Sequence, residues 1–116
     1  MVARAELLFC RIVAGDAQAD VVYEDAETLA FLDIAPATDG HTLVIPKKHI
    51  EDLLEATVDE AASVMRGVHR VAALIDRQLR PEGITLFQAN RPTGQQVGGL
   101  AGRLSSARTR RPTSLR

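Results

Sequence analysis

The chain has 116 residues, of which 46% are hydrophobic and 25% are charged, and it contains one cysteine. A chain of this length forms one domain, its apolar runs are far shorter than the roughly 20 residues that cross a bilayer, and a single cysteine excludes an internal disulfide. We therefore expect one cytoplasmic domain without a membrane segment.

The formal net charge of −1 hides an uneven distribution of charge along the chain. All fifteen Asp and Glu residues lie between Glu6 and Glu82, whereas six of the fourteen Lys and Arg residues lie from Arg91 onward. One interpretation is a non-enzymatic protein whose basic tail binds nucleic acid or acidic partners by neutralising their charge. The tail has no aromatic residue that could stack on bases, which makes nucleic acid the less favoured partner.

The first half of the chain predicts three strands. Two β-branched and apolar runs, residues 21–23 and 28–34, are separated by a polar connection of hairpin length. Alternation along the second run places Asp33 on an otherwise apolar face. Asp33 either caps the end of this strand or accepts the two hydroxyls of a ribose. A Pro- and Gly-containing turn then leads into a third strand over residues 41–45.

The second half begins with the clearest helix signal in the chain. Thr57-x-x-Glu60 is a capping box, apolar residues recur every three or four positions up to Leu79, and Pro81 ends the helix. A strand over residues 84–90 follows, and the remainder is rich in Arg, Gly, Ser and Thr. We predict an α+β fold with an antiparallel sheet and one long helix over residues 1–97, followed by a basic disordered tail over 98–116.

An amide-rich loop follows the last predicted strand. Gln88-x-Asn90 leads into Gly94-Gln95-Gln96, and side-chain and backbone donors in such a loop can hold phosphate oxygens, although it can equally be an ordinary loop. The loop does not match G-x-x-x-x-G-K-[ST], which excludes a P-loop.

Five blocks in order strongly resemble the histidine-triad (HIT) family: residues 9–15 (FCRIVAG), 22–25 (VYED), 30–34 (AFLDI), 40–49 (GHTLVIPKKH) and 86–90 (LFQAN). The resemblance covers residues 7–97. It implies a small antiparallel sheet with a long helix, usually a homodimer, that binds purine nucleotides and hydrolyses or transfers nucleotidyl groups. We expect no cofactor.

The resemblance also assigns nucleotide-binding residues by position. Its base-contacting positions are Phe9, Ile12, Leu32 and Ile34, and its ribose-binding acid is Asp33. His41 matches a histidine that supports the triad, and the phosphate loop is formed by Asn90, Gly94, Gln95 and Gln96.

The chain departs from the family where the chemistry belongs. The family continues with His-x-His-x-His, whose middle histidine attacks the α-phosphorus and forms a nucleotidyl-histidine, but Gly99, Ala101 and Arg103 stand at these positions. We therefore expect no catalytic residue and a missing or altered last strand. The abrupt change after Val97 favours a reading-frame change, which translation of the other downstream frames of the gene would test.

A second departure concerns metal binding. Many relatives open with Cys-x-x-Cys for zinc, but Leu7 stands where the first cysteine would be, and only Cys10 is present. We therefore expect no metal site of this kind.

Overall fold

The computed structural model describes residues 4–32, 41–91 and 99–107 of the chain. Their elements are α1 (Arg4–Ala14), β1 (Val21–Glu24), β2 (Thr28–Leu32), β3 (Thr42–Pro46), α2 (Val58–Leu79), β4 (Gly83–Phe87) and β5 (Gly102–Ala107). The strands form one sheet in the order β1-β2-β3-β5-β4, and every neighbouring pair is antiparallel. The predicted α+β class, with an antiparallel sheet and a long helix, is confirmed.

The predicted hairpin is formed by β1 and β2, and Asp25 holds its turn. The Oδ1 atom of Asp25 accepts hydrogen bonds from the backbone N–H groups of Glu27 at 2.8 Å and Thr28 at 2.7 Å. Its Oδ2 atom accepts from the Tyr23 hydroxyl at 2.8 Å. One carboxylate therefore satisfies two backbone donors of the turn and one side-chain donor of β1.

The long helix α2 begins with the predicted capping box. Thr57 Oγ1 accepts from the Glu60 N–H at 3.1 Å, and Glu60 Oε1 accepts from the Thr57 N–H at 2.8 Å. Two hydrogen bonds lower the pKa of Glu60. The one from Lys48 at 2.7 Å has the larger effect, and the one from the Thr57 amide has the smaller. The helix ends at Leu79, and Arg80 adopts a left-handed conformation with φ 48°. No helix in the described ranges is long and apolar enough to span a membrane.

The sheet buries a different apolar cluster on each of its faces. On the face covered by α2, which we call the α2 face, the cluster contains Ala30, Val44, Leu100 and Leu104 from the sheet side and Val64, Val68, Val71 and Ile75 from the helix. On the opposite face, the α1 face, the buried cluster contains Ile12, Leu29, Phe31, Leu43, Ile45 and Ala101. The central strands β2, β3 and β5 therefore alternate between two apolar layers, whereas the edge strands β1 and β4 are largely exposed.

Helix α1 is an element to which sequence analysis assigned no secondary structure. Ile12 is buried in the cluster of the α1 face, and Phe9 and Val13 pack against that cluster. Their spacing of three and four residues is the pattern of an amphipathic helix, so the signal was present but short.

The last strand, which we expected to be missing or altered, is present with an altered sequence, and the disorder expected from residue 98 onward is wrong for residues 102–107. These residues form β5, an interior strand that pairs with β3 on one side and β4 on the other. Leu100 and Leu104 are both buried on the α2 face. Packing and pairing thus override a composition that is poor in strand formers. Residues 108–116 lie outside the described ranges.

Candidate functional site

Two of the predicted base-contacting residues lie together on the α1 face. The rings of Phe9 and Phe31 pack edge to face with their centroids 6.0 Å apart. Ile12 is buried in the same cluster with 7% of its surface exposed, whereas Phe9 is half-buried. Phe9 is therefore the member of this group whose surface remains available to a ligand.

Of the other three residues predicted to contact the nucleoside, the structure describes Leu32. Leu32 ends β2, pairs with Thr42 and is 37% exposed. Because its neighbour Phe31 faces α1, alternation directs Leu32 toward the opposite side of the sheet. Asp33 and Ile34 lie outside the described residues.

His41 immediately precedes β3 and is half-buried. Its ring lies edge to face with the ring of Phe87 on β4, with 6.5 Å between the two centroids. The residue predicted to support the triad is thus positioned over the two strands, β3 and β4, that flank β5.

Asn90 is held by a set of short hydrogen bonds just after β4. Its Nδ2 donates to Gln88 Oε1 at 2.7 Å, and its Oδ1 accepts from Gln88 Nε2 at 2.9 Å and from the Leu53 N–H at 2.8 Å. These bonds fix the chain leaving the sheet against the turn before α2. The remaining predicted phosphate-loop residues, Gly94, Gln95 and Gln96, lie outside the described ranges.

The three positions at which the resemblance places histidines follow one another along the α1 face. Gly99 lines a small pocket beside Phe9, and Ala101 is 5% exposed within the α1-face cluster. Arg103 pairs with Leu43, which belongs to the same cluster, and is half-buried. This face therefore presents a hydrogen atom, a methyl group and a guanidinium where three imidazoles would otherwise stand.

Cys10 and His49 meet at the edge of the pocket that Gly99 lines. Cys10 Sγ lies 3.4 Å from His49 Nδ1, and His49 Nε2 lies 3.7 Å from Glu51 Oε2. Within the described ranges, no three His, Cys, Asp or Glu side chains are arranged to hold a metal ion. Cys10 and His49 supply two donors where a structural zinc site needs four, so the residues present do not fit such a site.

Two aromatic residues and one charged residue contribute to this face without having been assigned to it from the sequence. Phe31 shares the alternation of Leu29 and could have been assigned from that pattern. The positions of Phe87 and Arg103 depend on β5 lying between β3 and β4, and this pairing of distant segments has no local sequence signal.

Comparison with known proteins agrees with this geometry. Residues 14–99 match the HIT domain family. The chain is 45% identical over 91 residues to "Protein hit" of Bacillus subtilis, an alignment that covers 78% of this chain and 63% of that protein. It is 40% identical over 83 residues to the adenosine 5'-monophosphoramidase hnt1 of Schizosaccharomyces pombe, covering 72% of this chain and 59% of hnt1.

The fold comparison is equally direct. The crystal structure of a HIT family protein from Bacillus anthracis superposes with a TM-score of 0.87 at 33% identity, covering 94% of this chain and 77% of that one. The family match extends over most of the chain and ends at Gly99, the first of the three substituted positions. This chain belongs to the HIT domain family.

Proposed function

We propose that this chain binds purine nucleotides on the α1 face of its sheet and does not catalyse nucleotidyl transfer. The family membership and the adenosine phosphoramidase activity named for the relative hnt1 support the ligand class. The half-buried ring of Phe9 beside Phe31 offers an apolar surface for a base. Asp33, which follows β2 in the chain, is the proposed ribose ligand, and Ile34 is proposed to lie near the base. Leu32 is directed to the other side of the sheet and is left out of this surface.

The observation that carries the inactive assignment is Ala101. The nucleophilic histidine that the family's chemistry needs would occupy this position. Ala101 offers only a methyl group there, and the residue is 5% exposed and packed among apolar side chains. General acid–base assistance alone contributes about 10²- to 10⁴-fold, far less than the about 10⁶-fold or more that enzymes typically achieve.

His41 does not replace the lost imidazole. Leu43 pairs with Arg103, so continuing the antiparallel register places His41 at the level of Ser105, four residues along β5 from Ala101. Four strand residues span about 13 Å. The ring itself packs against Phe87, which pairs with Arg103, so the imidazole lies at the Arg103 level of β5 and not at Ala101.

The proposal is tested by titrating AMP into isotopically labelled protein and recording amide chemical shifts. We expect saturable shifts concentrated on α1, the end of β2 and the residues after β4. Asp33→Ala should weaken binding, whereas Asp76→Ala, at an exposed position on α2, should not. Absence of saturable shifts would contradict nucleotide binding, and release of AMP from an adenosine phosphoramidate in proportion to protein would contradict inactivity.

We also propose that two copies associate through β4. This strand is the last in the sheet order and pairs with β5 on one side. Its Leu86 and Phe87 are 43% and 44% exposed, and an exposed apolar edge strand favours pairing with another chain.

We propose the cytoplasm as the place of action, because a single cysteine without a disulfide partner in the chain fits a reducing compartment.

A further inference from the structure

Strands β2, β3, β4 and β5 contain one charged residue between them, Arg103. The four segments read TLAFL, TLVIP, GITLF and GRLSSA. Charged residues are strongly depleted in the interior of sheets that are covered on both faces, because an ion loses hydration there. Arg103 is half-buried at this interior position, so part of the residue stays accessible to a ligand.

The strand register fixes the direction of the Arg103 side chain. Arg103 pairs directly with Leu43 on β3 and with Phe87 on β4. Directly paired residues project to the same face of a sheet, and Leu43 belongs to the cluster of the α1 face. The guanidinium of Arg103 therefore projects to the face that carries Phe9 and the ring of His41.

The chemistry of a guanidinium suits a phosphate better than it suits the rest of a nucleoside. Arginine presents five N–H donors in a planar fork that binds two phosphate oxygens at once. If one or two of these donors bind an acceptor within the protein, the others can still bind a ligand. Leu43, which pairs with Arg103 and is buried, lowers the dielectric constant on that side and strengthens this attraction. Imidazole at the same position would carry fewer donors and would lose its charge near neutral pH.

We propose that Arg103 binds the phosphate of a purine nucleotide and makes the site select nucleotides over nucleosides. This inference rests on the proposed function, since it assumes that the base binds on the α1 face. With a guanidinium at one family histidine position and a methyl group at another, the site holds the phosphate without attacking it. The chain then retains nucleotides instead of processing them.

The test is calorimetric titration of the full chain with AMP, adenosine and inorganic phosphate. We expect AMP to bind at least about 10-fold more tightly than adenosine, the range of one charge-assisted contact. Arg103→Ala should reduce AMP affinity about 10- to 100-fold, to near that of adenosine, and leave adenosine affinity unchanged. Arg103→Lys, which keeps the charge but loses the fork, should lie between the two.

Controls separate this role from a structural one. Arg77→Ala removes an exposed arginine of α2 and should leave both affinities unchanged. Should Arg103→Ala fail to fold, Arg103→Gln keeps most of the side-chain length without the charge. A further readout is salt: AMP affinity of the unsubstituted chain should fall as ionic strength rises, and that of Arg103→Gln should fall less.

The contradicting outcomes are distinguishable. Equal affinities for AMP and adenosine in the unsubstituted chain, or an equal loss of both in Arg103→Ala and Arg103→Gln, would overturn the role of Arg103 while leaving purine binding in place. Binding of neither ligand would overturn the proposed function itself.

Discussion

At the scale of single residues, Asp25 is the most strongly perturbed acid of the described chain. Burial alone would raise the pKa of this carboxyl, but hydrogen bonds from the Glu27 amide, the Tyr23 hydroxyl and Thr28 outweigh that effect and hold its pKa far below the ordinary value. Arg70 extends the network by donating to the Tyr23 hydroxyl at 2.7 Å. The carboxylate therefore stabilises the β1–β2 turn in its ionised form.

Replacing Asp25 by Asn should destabilise the fold in a pH-dependent way. Because the folded pKa is depressed, the stabilisation is fully present above the unfolded pKa of about 4 and is lost as the pH falls through the folded value. We expect Asp25→Asn to lower the free energy of unfolding by about 1 to 2 kcal/mol at neutral pH. Urea unfolding of both proteins should show this difference shrinking below about pH 4.

The matched control for this substitution is Asp76→Asn, at an exposed position on α2. It should change stability by less than about 0.5 kcal/mol, as surface substitutions usually do. A difference between Asp25→Asn and the unsubstituted chain that stays constant down to acidic pH would contradict the role given to the charge.

At the scale of elements, local signals predicted the hairpin, the third strand, α2 and the fourth strand. Thr57 and Glu60 marked the start of α2 because capping is local chemistry between neighbouring residues. The same local view failed at β5, whose glycines and serines have low strand propensity. Its stability comes from two flanking strands and from the helix beneath it, and neither is visible in the six residues of the strand.

Gly102 is the residue of β5 on which helix packing depends. A Cβ atom built at this position would lie 2.8 Å from Val68 Cγ2 of α2. Gly102→Ala should therefore force the helix and the sheet apart and destabilise the fold by about 1 to 3 kcal/mol. Thermal unfolding, monitored by circular dichroism, measures this loss of stability.

The control is Gly83→Ala in β4, where a Cβ would meet nothing within 4 Å. It should leave stability unchanged or raise it by about 0.5 to 1 kcal/mol, because alanine restricts the unfolded chain. Equal stabilities of the Gly102→Ala and Gly83→Ala variants would contradict the close helix–sheet approach at β5.

At the scale of the whole molecule, β5 decides whether the sheet is one unit. Without it, β3 would lose a partner and β4 its sole partner in the described sheet, and the buried Leu100 and Leu104 would be removed. Removal of a buried leucine side chain costs about 2 to 5 kcal/mol, against a net stability of about 5 to 15 kcal/mol for an intact domain. The folded domain therefore extends past the boundary that sequence analysis placed at residue 97.

Two truncations test this conclusion. A chain that ends at Val97 should lack cooperative unfolding in circular dichroism and in denaturant titration. A chain that ends at Ala107 keeps β5 and should unfold cooperatively with a midpoint close to that of the full chain. Cooperative folding of the shorter chain would contradict the structural role of β5.

Self-association is the second property of the whole molecule. If two copies pair along β4, Leu86→Lys should shift the protein from dimer to monomer in sedimentation equilibrium, because a buried charge opposes strand pairing. Val22→Lys is the matched control, at a 41% exposed position on β1, the strand at the opposite edge of the sheet. Dissociation by Val22→Lys and not by Leu86→Lys would place the interface at β1 and contradict pairing along β4.

The central claim is that the nucleotide site persists while the attacking group is lost. Its most direct test is phosphorus NMR of an adenosine phosphoramidate incubated with the full chain, purified from a host that lacks active relatives. We predict a phosphoramidate signal that shifts or broadens as protein is added and whose area stays constant over hours. Growth of an AMP signal at a rate proportional to protein would contradict the loss of chemistry, and a signal indifferent to protein would contradict the binding site.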